Sequence, residues 1–93
     1  MSDPSPAADK PALLLVDDDP LIADTLGYYL GVDFQVFTAG SRSKAIEWLQ
    51  SRDVPPQLAL VDLGLPPTPH RPEEGFALIS ELLTRAPAIR IVV

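Results

Sequence analysis

The sequence predicts an α/β fold in which a doubly wound parallel sheet lies between helices on both of its faces. Short apolar segments alternate with segments of helical periodicity along the chain. The first apolar segment is a continuous run without polar alternation, which is typical of a strand that is covered on both faces. The predicted order is strand, helix, strand, helix, strand, helix, strand. This order favours parallel pairing through crossover helices.

The length and composition indicate one small domain with a packed core. The chain has 93 residues, of which 46% are hydrophobic, and its net charge is −6. The negative charge argues against direct binding of nucleic acid, because phosphate contacts need Lys and Arg. Disulfides and thiolate metal sites are excluded because the chain contains no cysteine. No signal peptide or membrane-spanning run is apparent, so a cytoplasmic protein without a membrane partner is expected.

The first third of the chain predicts a tail, a strand and a helix. Residues 1–11 are polar and rich in proline, and we expect them to be disordered. Residues 12–16 form the first apolar run and the first predicted strand. Asp19 is a suitable N-cap for a helix over residues 20–30, where apolar side chains recur at helical spacing. Gly31 is expected to end this helix.

The middle of the chain predicts two more strands around a second helix. Residues 34–38 alternate in polarity and carry β-forming side chains, as an edge-proximal strand would. Ser41 is the expected N-cap of the second helix. The buried face of that helix is predicted to consist of Ala45, Ile46 and Leu49. Residues 58–61 form another short apolar run and therefore a third strand.

The last part predicts a loop, a third helix and a fourth strand. Pro72 begins the third helix, and acidic residues follow it where the helix dipole favours them. The expected core side chains of this helix are Ile79, Leu82 and Leu83. Residues 89–93 are predicted to form a strand whose apolar side chains would suit cover on both faces, although part of the helix layer that should cover it is expected to be missing. His70, the only histidine, lies in the proline-rich loop and is interpreted as a loop residue and not as a ligand.

Carboxylates follow two of the predicted strands directly. Asp17 and Asp18 come after the first strand, and Asp62 comes after the third. In an open parallel sheet the ligand site lies beyond the carboxyl ends of the strands, so these side chains converge if the two strands are neighbours. Together they could bind a hard divalent cation such as Mg²⁺. A carboxylate can also act as the nucleophile that accepts a phosphoryl group.

Three motifs in this order resemble the receiver domain of two-component response regulators. They are "LLLVDDDP" (13–20), "LALVDLGLP" (58–66) and "EEGFALI" (73–79), and the similarity runs from about residue 12 to residue 93. The resemblance implies a flavodoxin-like, three-layer α/β/α fold with the strand order 2-1-3-4. It also implies a receiver domain over residues 12–93, preceded by the disordered tail.

The resemblance implies a role for each residue of the candidate site. Asp62 would be the phosphoacceptor, and Asp18 would bind Mg²⁺ directly. Asp17 would act on the metal largely through bound water, and the backbone carbonyl of Gly64 would supply the remaining protein ligand. Gly75 would correspond to the glycine that the family carries before the third helix.

The implied function is signalling in a phosphorelay and not enzymatic turnover. A sensor histidine kinase or a phosphotransfer protein would donate the phosphoryl group with Mg²⁺ as cofactor. The phosphorylated protein would then regulate an output domain in the full-length parent, with transcription as the expected output.

Two departures from the family pattern affect these expectations. The loop over residues 66–74 is longer than usual for the family. The chain also stops at Val93, so that the family's fifth strand, its phosphate-contacting hydroxyl and lysine residues and two helices would be missing. We therefore expect a C-terminally truncated receiver that self-associates through the unpaired edge of its fourth strand.

Three other interpretations remain open at this point. The chain could be a receiver fold that serves as a structural or interaction fragment without switching. It could be an aspartate-nucleophile phosphohydrolase of the haloacid dehalogenase type, with Asp17 and Asp19 in the two aspartate positions, although Leu21 stands where that pattern needs threonine. Finally, the aspartates after the first strand could form a solvated turn in which Asp19 is only a helix cap.

Overall fold

Four strands and three helices alternate along the chain, as predicted. The computed structural model describes residues 10–67 and 71–93. The elements are β1 (Ala12–Val16), α1 (Pro20–Leu30), β2 (Gln35–Ala39), α2 (Arg42–Gln50), β3 (Leu58–Val61), α3 (Glu73–Arg85) and β4 (Arg90–Val92). The expectations for His70 and for nearly all of the tail over residues 1–11 concern positions outside the described residues. Among the described residues, no helix combines the length and the apolar character needed to cross a membrane.

The strands form one parallel sheet in the order β2-β1-β3-β4. This is the predicted order, and it makes β1 and β3 neighbours. The last residue of β1, Val16, pairs with Ala39 of β2 on one side and with Val61 of β3 on the other. The three strands therefore end at the same level, and the residues that follow them meet at one edge of the sheet.

The continuous apolar run of β1 is explained by burial on both sides of the sheet. Leu14 and Val16 belong to the larger core, to which α2 and α3 contribute. Leu13 and Leu15 belong to a smaller core with Ala23 of α1. These four of the five β1 side chains are 2% exposed or less. Helices thus lie on both faces, as the predicted three-layer architecture requires.

Helix α1 has the predicted bounds, but most of its apolar repeat is exposed, and Leu30 is the member that packs against the smaller core. Leu21 and Tyr29 are 73% and 68% exposed, and Ala23 is the buried residue of this helix. The helix approaches the sheet through small residues, since Gly27 comes close to the side chain of Val36. Apolar spacing therefore predicts the bounds of the helix, whereas small residues contribute to its contact with the sheet.

Helix α3 also differs from the sequence prediction in its buried face. Leu82 is fully buried as expected, whereas Leu83 is 46% exposed. The buried stripe consists of Gly75, Leu78 and Leu82, which are spaced by three and four residues along the helix. Leu83 lies beside this stripe and not on it.

The remaining differences are small shifts at strand ends. Strand β2 lies one residue later than predicted, and β4 comprises three residues, shorter than the predicted 89–93. Val92 of β4 is 49% exposed, which agrees with the expectation that this strand is incompletely covered. It pairs with Leu60 and lies on the face of the sheet on which α1 packs.

Candidate functional site

The candidate site lies where β1 and β3 end side by side. The backbone N–H of Asp17 donates to the carbonyl oxygen of Ala39 at 3.0 Å, and the N–H of Asp62 donates to the carbonyl oxygen of Val16 at 2.9 Å. The parallel hydrogen-bond ladder thus continues for one residue beyond each strand. This pairing fixes the backbone beneath the two aspartates and brings the two loops together.

Asp17, Asp18 and Asp62 converge at this edge of the sheet. One carboxylate oxygen from each lies within 4.8 Å of the others. Asp18 is exposed and Asp17 is half-buried. The two ion pairs among the described residues lie elsewhere, so the cluster has no cationic side chain as a partner there. Three solvent-accessible carboxylates at this separation fit the oxygen-ligand preference of Mg²⁺ or Ca²⁺.

Backbone amides in the loops orient two of these carboxylates. The N–H of Asp19 donates to Oδ1 of Asp17 at 2.9 Å. In the same way, the N–H of Gly64 donates to Oδ1 of Asp62 at 3.0 Å. Each carboxylate thus receives a hydrogen bond from the residue two positions later, an arrangement that Asp side chains commonly adopt in turns. The loops therefore orient both side chains through hydrogen bonds from their own backbone.

Asp19 has a different role from its two neighbours. Its Oδ1 accepts hydrogen bonds from the backbone N–H groups of Leu21 and Ile22, at 2.9 and 3.5 Å, and it is the N-cap of α1. The predicted cap is therefore present. The phosphohydrolase alternative needs this carboxylate for chemistry, and it is already engaged at the helix terminus.

The segment after Asp62 packs tightly against the start of α3. Leu65 is fully buried, and its N–H donates to the carbonyl oxygen of Leu63 at 2.9 Å. Gly75 lies in the first turn of α3 and contacts the backbone of Leu63. Gly64, the expected carbonyl ligand, lies between these two packed leucines. The loop of residues 66–72 follows and leads to α3, and its residues 68–70 are outside the described ranges.

Sequence reasoning missed an ion pair close to this segment. Arg42 Nε lies 3.0 Å from Glu74 Oε1, and Arg42 Nη2 lies 3.4 Å from Glu74 Oε2. The pair joins the first turn of α2 to the first turn of α3. The sequence indicated only that the charge of Glu74 interacts favourably with the dipole of the third helix. No local pattern could connect two residues that are separated by 32 positions.

The fold of this chain is similar to those of several solved protein structures. The sequence matches no protein-family model and no curated protein. Among solved structures, a chain described as adenylate cyclase from Rhodopirellula baltica superposes with a TM-score of 0.75 at 29% identity, over 88% of this chain and 56% of the other. A response regulator from Burkholderia pseudomallei, solved with a phosphorylated aspartic acid, a calcium ion and citrate, gives a TM-score of 0.74 at 27% identity, over 89% and 45%. The non-phosphorylated HemR receiver domain from Leptospira biflexa gives 0.72 at 28% identity, over 88% and 61%.

These similarities cover most of this chain but only part of each solved one. The chain spans 45% to 61% of the length of the three. Two of the three are a response regulator and a receiver domain, and the sheet order and flanking helices agree with that fold. The resemblance to response regulator receiver domains that the sequence predicted is therefore confirmed, and it extends over most of the chain.

Proposed function

We propose that this protein is the phosphoacceptor receiver module of a two-component phosphorelay and that Asp62 takes the phosphoryl group. The observation that supports this most strongly is the convergence of Asp17, Asp18 and Asp62 at the ends of two adjacent parallel strands. The phosphorylated aspartic acid and calcium ion of the Burkholderia response regulator support the same chemistry in a protein of this fold.

In the proposed reaction, a carboxylate oxygen of Asp62 attacks the phosphorus of a phosphohistidine on a sensor kinase or phosphotransfer protein. An oxygen–phosphorus bond forms and the nitrogen–phosphorus bond breaks, and the electron pair of the broken bond stays on the imidazole nitrogen. The hydrogen bond from the Gly64 N–H orients the attacking carboxylate. Phosphoryl transfer depends mainly on positioning and charge neutralisation, which suits a site made of loops at the end of a rigid sheet.

The proposed cofactor is Mg²⁺, held by Asp18 and Asp62 directly, by Asp17 largely through water, and by the carbonyl oxygen of Gly64. Bound Mg²⁺ supplies positive charge that offsets the charge on the phosphoryl oxygens. In its absence, the three carboxylates repel one another and would also repel an incoming phosphate. The cation is therefore expected to be required for phosphorylation.

The consequence of phosphorylation would be regulation of an output domain in a longer protein. The added negative charge would act on the surface around the site. The proposed output is the regulation of transcription. One of the similar structures is described as an adenylate cyclase, so a cyclase is the second candidate for the output.

The test is to incubate the protein with acetyl phosphate and Mg²⁺ and to measure its intact mass. We expect an increase by the mass of one phosphoryl group, which fragmentation should locate at Asp62. Chelation of the Mg²⁺ with EDTA before acetyl phosphate is added should prevent this increase. Asp62→Asn should prevent the increase, whereas Asp33→Asn, which changes the charge equally at an exposed turn, should not. Equal labelling of Asp62→Asn would show that the phosphoacceptor is assigned wrongly.

A further inference from the structure

The first turn of α3 lies directly against the backbone that follows Asp62. Gly75, in that turn, is buried. A methyl group at this position would lie 2.9 Å from the carbonyl oxygen of Leu63 and closer still to its Cα. Side-chain carbon atoms essentially never approach other atoms within 3.0 Å. Any side chain at position 75 would therefore force the helix and the loop apart.

A second contact holds the same turn from the side of α2. The guanidinium of Arg42 forms a two-point contact with the carboxylate of Glu74, which directly precedes Gly75. The side chain of Glu74 is only 22% exposed, and that of Arg42 is 40% exposed. Because the contact uses two nitrogens and two oxygens, it restrains orientation as well as distance. The start of α3 is thus restrained by the loop on one side and by α2 on the other.

The residue that Gly75 touches lies between two proposed ligands. Leu63 follows Asp62 and precedes Gly64, and its own carbonyl oxygen accepts a hydrogen bond from Leu65. A displacement of the Leu63 backbone would therefore move the Asp62 side chain, the Gly64 carbonyl and the hydrogen bond between Gly64 and Asp62. Contacts of this outer kind commonly alter metal affinity 10- to 100-fold when they are removed.

We propose that Gly75 is a positioning residue for the Asp62 site and that the Arg42–Glu74 pair assists it by holding the first turn of α3 in place. This inference rests on the proposed function, because it concerns the ligands of the same cation. It goes beyond that function because it states what determines the geometry of the loop after Asp62, namely the start of α3 and the contact between α2 and α3.

The test compares two glycine-to-alanine variants by Mg²⁺ titration. Gly75→Ala should weaken Mg²⁺ binding by about 10- to 100-fold. Gly27→Ala is the matched control, because Gly27 is also helical and a methyl group there would lie 4.0 Å from Val36, an ordinary contact distance. It should leave the affinity unchanged. Wild-type affinity in a folded Gly75→Ala protein would overturn the proposal.

A metal-free measurement separates this proposal from the proposed function. The amide resonance of Gly64 reports its hydrogen bond to Asp62 in NMR spectra without Mg²⁺. It should shift in Gly75→Ala and stay in place in Gly27→Ala. If the wild-type protein binds no Mg²⁺ but this shift occurs, the proposed function fails and the positioning role stands. An unshifted Gly64 resonance contradicts the positioning role, whatever the metal affinity.

The ion pair provides a second test that does not depend on the folding of Gly75→Ala. Arg42→Glu places two carboxylates together and should weaken Mg²⁺ binding several-fold while also shifting the Gly64 amide. Combining it with Glu74→Arg restores opposite charges and should restore both readouts. A reversed pair that stays as impaired as the single variant, or a single variant with wild-type behaviour, would remove the pair from the proposal.

Discussion

Three consecutive aspartates in this chain have two different roles. Asp17 and Asp18 share a cluster with Asp62, whereas Asp19 caps α1 through its own carboxylate oxygen. The difference follows from their positions relative to β1 and α1. Asp17 still takes part in the backbone ladder of the sheet, whereas Asp19 already precedes the first helical turn. Neighbouring carboxylates can therefore be tested independently of one another.

The cap is expected to contribute to stability without depending on its charge. Asp19→Ala should lower the free energy of unfolding by about 1 kcal/mol, because two backbone N–H groups lose their acceptor. Asp19→Asn keeps an oxygen in the same place and should cost little. Urea unfolding of both variants measures the difference. Equal destabilisation by Asn and Ala would mean that the capping hydrogen bonds are not the source of the effect.

At the scale of elements, the strands that bear the site were more predictable than the helix faces. Strands β1 and β3 have their predicted bounds because burial on both faces leaves an uninterrupted apolar run. The face of α1 could not be predicted in this way, since Ala23 and Gly27 contribute to its contact with the sheet beside Leu30. Small residues permit a close approach but contribute little to an apolar pattern.

Helix α3 allows a direct test of the corrected face with two adjacent leucines. Leu82→Ala should lower the free energy of unfolding by about 2 to 5 kcal/mol, as expected for a fully buried leucine. Leu83→Ala removes a side chain that is 46% exposed and should cost less than about 1 kcal/mol. Urea denaturation distinguishes these outcomes. Similar losses for the two variants would mean that the helix packs with a different face.

The carboxylates of the candidate site could be predicted from the sequence, but the contacts that surround them could not. The sequence places three aspartates after two strands, and parallel pairing of those strands is sufficient to bring the carboxylates together. It does not indicate that Gly75 contacts Leu63 or that Arg42 reaches Glu74, because both contacts depend on how α3 sits against the sheet and α2. Local sequence patterns identify the carboxylates of the site, whereas tertiary packing determines which residues position them.

Across the whole molecule, the two faces of the sheet are covered unequally. Helices α2 and α3 contribute to the larger core on one face, while α1 alone packs on the other. Between α1 and β4 there is a groove of about 350 Å³, whose walls include Ile22, Leu26 and Val92. These side chains are 37% to 49% exposed. Strand β4 is an edge of the sheet within the described residues.

This edge supports the prediction that the 93-residue protein self-associates through β4. An apolar edge strand offers unpaired backbone groups to another chain, and a lysine on such a strand opposes pairing. We expect sedimentation velocity to show concentration-dependent association that Val92→Lys reduces. As a control, Val32→Lys introduces the same change at an exposed residue that precedes β2, the strand at the opposite edge of the sheet. A wild-type protein that stays monomeric at all concentrations would contradict the prediction.

An NMR titration with Mg²⁺ tests whether the carboxylates after β1 and β3 form one cation site. We expect saturable shifts of the amides around Asp17, Asp18 and Asp62 that share a single dissociation constant. Asp18→Ala should weaken this binding strongly, because hard cations need several oxygen ligands. The same variant should keep or slightly raise the metal-free stability, since it removes like-charge repulsion. Absence of saturable shifts, or an unchanged dissociation constant in Asp18→Ala, would show that these carboxylates do not form one cation site.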